Sequence, residues 1–404
     1  MKVNDDFLKS MKEAFDLLRT KGPKEATAAV QRALAGGKGH DSGHGSGHSG
    51  GDSGGNASNS AQQAQAGQPN STPPNTQPNM PRSPGEWTQA WSNAYAQTQA
   101  HPTPHSQADT TIDADAPGVF STHTFSNHAG QRGYKLYVPA VYNGAPLPLI
   151  VMLHGCTQNA DDFAAGTRMN ELAERRGFLV VYPNQSQAAN HSTCWNWFKP
   201  EDQQRDQGEP SLIAGITREV MARYRVDPAR VYVAGLSAGG AMADIMLTTS
   251  PDLYAAAGVH SGLAYGSAKG LPSALAAMKG GISGQRHRTH AAPQRPLIVF
   301  HGDADQAVHP SNGIALVAPF DASATDITAS TVSAAQSDTT RATHAQRRYT
   351  VQRRLAANGV EAEYWTIHGA GHAWSGGSPR GTYTDPSGPD AAAEMVRFFL
   401  AHPR

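Results

Sequence analysis

Val231-Tyr232-Val233-Ala234-Gly235-Leu236-Ser237-Ala238-Gly239 decides how this chain folds. The β-branched run reads as a strand, and the small residues after Ser237 open a helix, so the serine stands at the apex of a sharp strand-to-helix turn. This is the pattern G-x-S-x-G, in which glycines let backbone and helix crowd together while the hydroxyl is presented at the end of a sheet. A serine in that position predicts a nucleophile, provided that an acid and a histidine follow it.

Working outward, short apolar runs alternate with helical stretches from about Gly118 to the C-terminus. Strands are expected at Tyr134–Val138, Leu147–Leu153, Phe178–Tyr182, Ala255–Val259, Leu297–Phe300 and Ala362–Ile367. Helices are expected at Asp161–Arg176, Leu212–Tyr224, Ala238–Thr248 and Ala391–Ala401. Asp227-Pro228 is a stop for the helix that precedes the nucleophile strand. Continuous apolar strands separated by helices predict an α/β domain with a mainly parallel sheet covered on both faces. Two polar insertions, 263–294 and 318–345, follow strands and so border the carboxyl edge of the sheet, where open α/β sheets bind ligands. They read equally well as surface loops.

The strand at Leu297–Phe300 runs into His301-Gly302-Asp303-Ala304-Asp305, and the strand ending at Ile367 runs into Gly369-Ala370-Gly371-His372-Ala373-Trp374. The order Ser, Asp, His, each just past a strand, is that of the α/β-hydrolase arrangement. Ser237 is the candidate nucleophile and His372 the candidate base. Asp305 is favoured over Asp303 as the acid, because Gly-x-x-Asp sets it in the turn beyond the strand, leaving Asp303 to hydrogen-bond loop backbone. A tetrahedral intermediate needs two backbone donors. The candidates are the amides of Ala238, which follows the nucleophile, and of Cys156, in the loop Leu153-His154-Gly155-Cys156-Thr157-Gln158. His154 either shapes that loop or is simply a buried histidine satisfied by backbone. This chemistry needs no metal and no organic cofactor, and it requires a neutral His372, so activity should fall in acid.

Outside this region the chain differs. Residues 1–35 carry Phe7, Met11, Phe15 and Leu18 at helical spacing and read as a short helical segment. Residues 36–117 are low in complexity, first rich in Gly, Ser and His (His40, His44, His48) and then in Gln, Asn and Pro, and read as a flexible linker. Trp87, Trp91 and Tyr95 make an aromatic stripe within it. Thirty-three basic and 33 acidic residues give a formal net charge of zero, and charged residues are only 16% of the 404. No basic stripe invites nucleic acid, and no apolar run is long enough for a membrane span. Met1 to Gly36 has no apolar signal-peptide core. The two cysteines, Cys156 and Cys194, are too few for a four-cysteine zinc site; they form one bridge or remain two buried thiols.

Five blocks, in order, now resemble one family. They are His154-Gly155-Cys156-Thr157-Gln158 with Asp161-Asp162-Phe163; Cys194-Trp195-Asn196-Trp197-Phe198; Asp227 to Val233 leading into Gly235 to Met242; His301 to Asp305 with Val308-His309-Pro310; and Gly371 to Gly377. This pattern resembles the polyhydroxybutyrate depolymerase family of esterases, which also includes relatives of feruloyl and acetylxylan esterases. The resemblance covers most of residues 118–404 and none of the first hundred. It implies the α/β-hydrolase fold, a Ser237–Asp305–His372 triad, oxyanion amides at Cys156 and Ala238, and a disulfide between Cys156 and Cys194. Such a bridge stabilises by about 4 kcal/mol in the chain-entropy model. It suits an exported protein, as the resemblance implies, whereas the missing signal core implies a cytoplasmic one.

Aromatic walls suit the acyl or aryl part of an ester, so Trp195 and Trp374, with Trp197 near them, are expected beside the substrate, although one or two of the three read equally well as core. The reading that emerges is a serine ester hydrolase acting on poly- or oligo-hydroxyalkanoate esters, with plant polysaccharide esters as the alternative. A peptidase of the same fold and a catalytically silent polymer- or granule-binding protein are the competing readings. Labelling of Ser237 by a fluorophosphonate separates the silent one.

Overall fold

The computed structural model describes residues 116–280, 295–320, 323–327 and 347–404. The helical segment expected at 1–35, the linker up to Asp115 with its histidines and aromatic stripe, and much of both polar insertions lie outside the described residues.

Ten strands form one sheet in the order β1-β2-β4-β3-β5-β6-β7-β10-β9-β8. In chain order they are β1 (Val119–Asn127), β2 (Gly130–Val138), β3 (Leu147–Leu153), β4 (Leu179–Pro183), β5 (Val226–Leu236), β6 (Ala256–His260), β7 (Leu297–Gly302), β8 (Ser323–Ile327), β9 (Tyr349–Leu355) and β10 (Glu361–Ile367). The block β4-β3-β5-β6-β7-β10 is parallel throughout. Antiparallel strands finish both sides, β2 and β1 on one and β9 and β8 on the other. The flanking strands β1, β8 and β9 carry no continuous apolar run, which is why sequence pattern alone does not reveal them.

Among the described residues, seven helices accompany the sheet: α1 (Ala160–Thr167), α2 (Met169–Arg176), α3 (Gly208–Arg223), α4 (Ala238–Thr249), α5 (Leu271–Met278), α6 (Ser311–Val317) and α7 (Ala391–Ala401). The period-two geometry of the strands sorts their side chains into two cores. Leu149, Val151, Val231, Val233, Leu297 and Val299 face one layer with Ile213, Ile216 and Val220 of α3 and Met242, Ile245 and Met246 of α4. Ile150, Met152, Tyr232, Ala234, Ile298 and Phe300 face the other, with Phe163 of α1, Leu172 of α2, and Met395 and Phe399 of α7. Both faces are therefore covered, as the unbroken apolar strands require.

Two local expectations are corrected. The single helix expected over 161–176 is two helices, because Arg168 adopts a left-handed conformation (φ +57°), its N–H closing α1 onto Ala164 O while its guanidinium pairs with Glu171. Asp227-Pro228 lies inside the opening of β5, and α3 has already ended at Arg223.

Candidate active site

The turn from β5 to α4 is built on two close approaches. A Cβ on Gly235 would lie 2.6 Å from Leu153 O, and one on Gly239 would overlap that same carbonyl. The helix can start flush against the end of β3 only because neither residue has a side chain. Ser237, between them, holds φ +57° and ψ −118°. For a residue with a Cβ this conformation costs on the order of 1–3 kcal/mol. Its N–H donates to His260 O at 2.9 Å, which fixes the turn to the end of the neighbouring strand β6.

His260 also reaches the loop after β10. Its Nε2 accepts from the Ser375 N–H at 3.0 Å, and its ring stacks against Trp374 at 5.2 Å and Phe300 at 5.8 Å. Burial, with His301 and His372 adding to it, pushes its pKa down to about 3, so the ring is neutral. One residue thus braces both, its carbonyl holding the serine turn and its imidazole the segment that carries His372. No motif singles it out among the 18 histidines. Its place at the carboxyl end of the strand between the Ser237 and Asp305 strands is the signal that was available.

His372 donates from Nδ1 to Asp305 Oδ2 at 2.7 Å, which leaves Nε2 as the basic nitrogen. The other carboxylate oxygen accepts from the Ala307 and Val308 amides, both at 2.9 Å. His301 Nε2 donates to Val308 O at 2.9 Å and lies 3.4 Å from Asp305 Oδ2. Burial works against ionisation of Asp305, but His372 and His301 outweigh it and hold the carboxyl well below the usual carboxylate range. Asp303, the competing acid, is engaged elsewhere. It accepts from His368 Nδ1 at 2.9 Å and from the Gly369 N–H at 2.6 Å, and His368 Nε2 lies 2.8 Å from Thr350 Oγ1.

Cys156 sits in the turn after β3, and Ala238 is the first residue of α4, where helix geometry leaves an N–H without an intrahelical partner. Cys156 is joined to Cys194 by a disulfide. His154 lies behind this loop, with Nδ1 donating to Gly155 O at 2.8 Å and Nε2 accepting from the Gln185 N–H at 3.1 Å. Burial lowers its pKa to about 4, so it is a neutral ring bonded on both sides to backbone, on one side to the loop's own Gly155 carbonyl. Left-handed backbone clusters here at residues other than glycine: Thr157, Thr193, Ser237, Ser261 and Tyr383 all have positive φ. Thr157 Oγ1 and Tyr383 OH meet at 3.0 Å. Such strain collects where a site over-determines the backbone.

Trp195 and Trp374 are 0% and 1% exposed. Trp195 tilts against His154 at 5.7 Å, and Trp374 packs edge-on to Phe163 at 5.4 Å. Neither ring presents a face to solvent, and the candidate triad is nearly as buried, with Ser237, Asp305 and His372 3%, 4% and 5% exposed. Among the described residues, no group of three or more His, Cys, Asp or Glu side chains is arranged to hold a metal ion, and no helix is long and apolar enough to cross a membrane.

A family model described as Esterase PHB depolymerase matches residues 132–344. The chain is 34% identical over 221 residues to poly(3-hydroxyalkanoate) depolymerase C of Paucimonas lemoignei, covering 51% of this chain and 52% of that protein. It is 36% identical over 154 residues to feruloyl esterase B of Neurospora crassa, covering 38% and 51%. To acetylxylan esterase A of Emericella nidulans it is 32% identical over 213 residues, covering 48% and 69%. The chain thus spans about half the length of the depolymerase and of the feruloyl esterase. Among solved structures, acetyl xylan esterase from Aspergillus awamori superposes with a TM-score of 0.50 at 18% identity, covering 69% of this chain and 99% of that one, a likeness of fold.

Proposed function

The chain belongs to the esterase PHB depolymerase family, and from that premise we propose that it is a serine carboxylic-ester hydrolase with Ser237 as nucleophile, His372 as base and Asp305 as orienting acid. The observation that carries this reading is the His372 Nδ1 bond to a buried carboxylate at 2.7 Å, supported by the strained elbow on which Ser237 stands.

Ser237 Oγ attacks the ester carbonyl carbon while His372 Nε2 takes its proton, and Asp305 holds the imidazole in the required tautomer and stabilises the imidazolium. The oxyanion accepts hydrogen bonds from the Cys156 and Ala238 amides. His372 then gives its proton to the departing alcohol oxygen, leaving an acyl-serine. Water, deprotonated by the same nitrogen, releases the acid and restores the serine.

The substrate class favoured is a poly- or oligo-hydroxyalkanoate ester. Support comes from the family description and from the depolymerase that the chain resembles over half its length. A second reading, esters carried by plant polysaccharides, is favoured by the acetylxylan and feruloyl esterases among its relatives. The test is hydrolysis of 3-hydroxybutyrate oligomers, acetylated xylan and feruloyl esters side by side, with products identified and Ser237→Ala as the control. Preferential release of hydroxybutyrate supports the first reading. Release of acetate from xylan or of ferulate, with the oligomers untouched, supports the second.

A further inference from the structure

Glu209, at the start of α3, is buried to 2% exposure and takes no part in the steps above. Every neighbour that touches its carboxylate is a donor. Asn196 donates from its backbone N–H and from Nδ2, both at 2.7 Å; Gln185 donates from Nε2; Arg132 approaches at 3.4 Å. Four donors directed at one buried carboxylate make a rigid centre, because each loses its partner if the carboxylate shifts.

That centre holds both of the loops joined by the disulfide. On the Cys194 side, Asn196 is anchored directly, and Gln185 Nε2 also donates to Cys194 O at 2.9 Å. On the Cys156 side the link runs through His154. The Gln185 N–H donates to His154 Nε2, which puts the ring proton on Nδ1, and Nδ1 donates to Gly155 O. Gly155 C=O and Cys156 N–H belong to one peptide unit. Since that unit is planar, fixing the carbonyl fixes the direction of the amide on its far side.

We propose that Glu209 is a positioning residue of the oxyanion hole, its carboxylate setting, through Gln185 and Asn196, the aim of the Cys156 amide. This rests on the reading of Cys156 as an oxyanion donor. The charged groups facing Glu209 are Arg132 on β2 and Asp202 in the 3-10 turn that precedes α3. Asp202 accepts the Glu209 N–H at 2.7 Å. Three of these donors meet Oε1 and one meets Oε2, and a proton added to the carboxylate removes the charge that strengthens all four bonds. The oxyanion loop should therefore loosen on acidification, independently of His372.

The test is steady-state hydrolysis of p-nitrophenyl butyrate from pH 5.5 to 9 by the wild type, Glu209→Gln, Gln185→Met and Ser237→Ala, with folding checked by near-UV circular dichroism. The expected result is a fall in kcat of about 10-fold in Glu209→Gln with KM within 2-fold, a tenth or less of what loss of a whole oxyanion donor costs. The acid limb of its kcat profile should also be shallower than in the wild type, which a merely structural role would not produce. Gln185→Met should lower kcat in the same direction, and it decides the matter if Glu209→Gln does not fold. Folded variants with kcat within 2-fold of wild type and an unchanged acid limb would overturn the proposal. An active Ser237→Ala would instead overturn the nucleophile reading beneath it.

Discussion

His372 Nδ1 donates to Asp305 Oδ2 at 2.7 Å, whereas Asp303, two residues earlier, accepts from His368 at 2.9 Å. The two acids that end β7 therefore serve different imidazoles. If Asp305 orients the base, Asp305→Asn should cut kcat by about 10⁴-fold through the wrong tautomer, with KM little changed. Asp303→Asn should cost less than about 10-fold, since it removes only support for the loop after β10. Steady-state kinetics on p-nitrophenyl butyrate compare the two. Equal losses would contradict the assignment.

The elbow tolerates no added Cβ. Gly239→Ala sets a methyl group onto Leu153 O, and neither backbone can move without displacing the Cys156 loop or α4. Overpacking of this kind costs about 1–3 kcal/mol and more where only backbone can yield. The expected outcome is a folded-state loss at the upper end of that range, read from urea unfolding, together with loss of turnover.

The Cys156–Cys194 bridge closes a separation of 38 residues. In the chain-entropy model, removing it costs about 4 kcal/mol. Cys194→Ser should lower the unfolding free energy by an amount of that order. Turnover should fall further than the unfolded fraction explains, because one end of the bridge is next to Thr157 and the candidate oxyanion amide.

Glu209 gives a pH dependence with a definite sign. Burial, with Asp202 adding to it, raises its pKa from 4.5 to about 7. The folded state thus holds this proton more tightly than the unfolded chain, so the charge that tightens the oxyanion loop is carried at a cost to overall stability. The proton's contribution to stability is fully present below pH 4.5 and is lost as pH rises through 7. Between pH 5 and 8.5 the wild type should lose about 2–3 kcal/mol relative to Glu209→Gln. Comparing the two proteins cancels the titration of every other group they share. An equal slope in both would contradict a proton shared in this way.

The parts of the fold that sequence reveals are those set by local pattern. Unbroken apolar strands such as Leu149–Leu153 report burial on both faces, and Gly235 and Gly239 report a close approach whatever lies opposite. Chain order also brings Ser237, Asp305 and His372 to one edge, because β5, β7 and β10 run parallel in the same sheet. What pattern does not carry is partner choice at long range. Gly-x-x-Asp favours Asp305 as the acid, but nothing in Asp303-Ala304-Asp305 says that Asp303 meets a second imidazole, His368. Trp195 and Trp374 look the same in sequence whether they line a cleft or pack beneath it. Glu209 is one acid among 33 acidic residues, and only its donors, drawn from three other segments, distinguish it. The left-handed break at Arg168 is likewise invisible, since arginine favours helix and rarely adopts positive φ.

The central claim is that Ser237 is the nucleophile of an ester hydrolase. The most direct measurement is turnover of p-nitrophenyl butyrate by wild type and Ser237→Ala, with mass spectrometry of both after treatment with a fluorophosphonate. The expected result is a single adduct on the peptide containing Ser237 in the wild type, no adduct in the variant, and a loss of turnover of at least about 10⁴-fold. Undiminished hydrolysis by a folded Ser237→Ala protein, or an adduct on another residue, would contradict it.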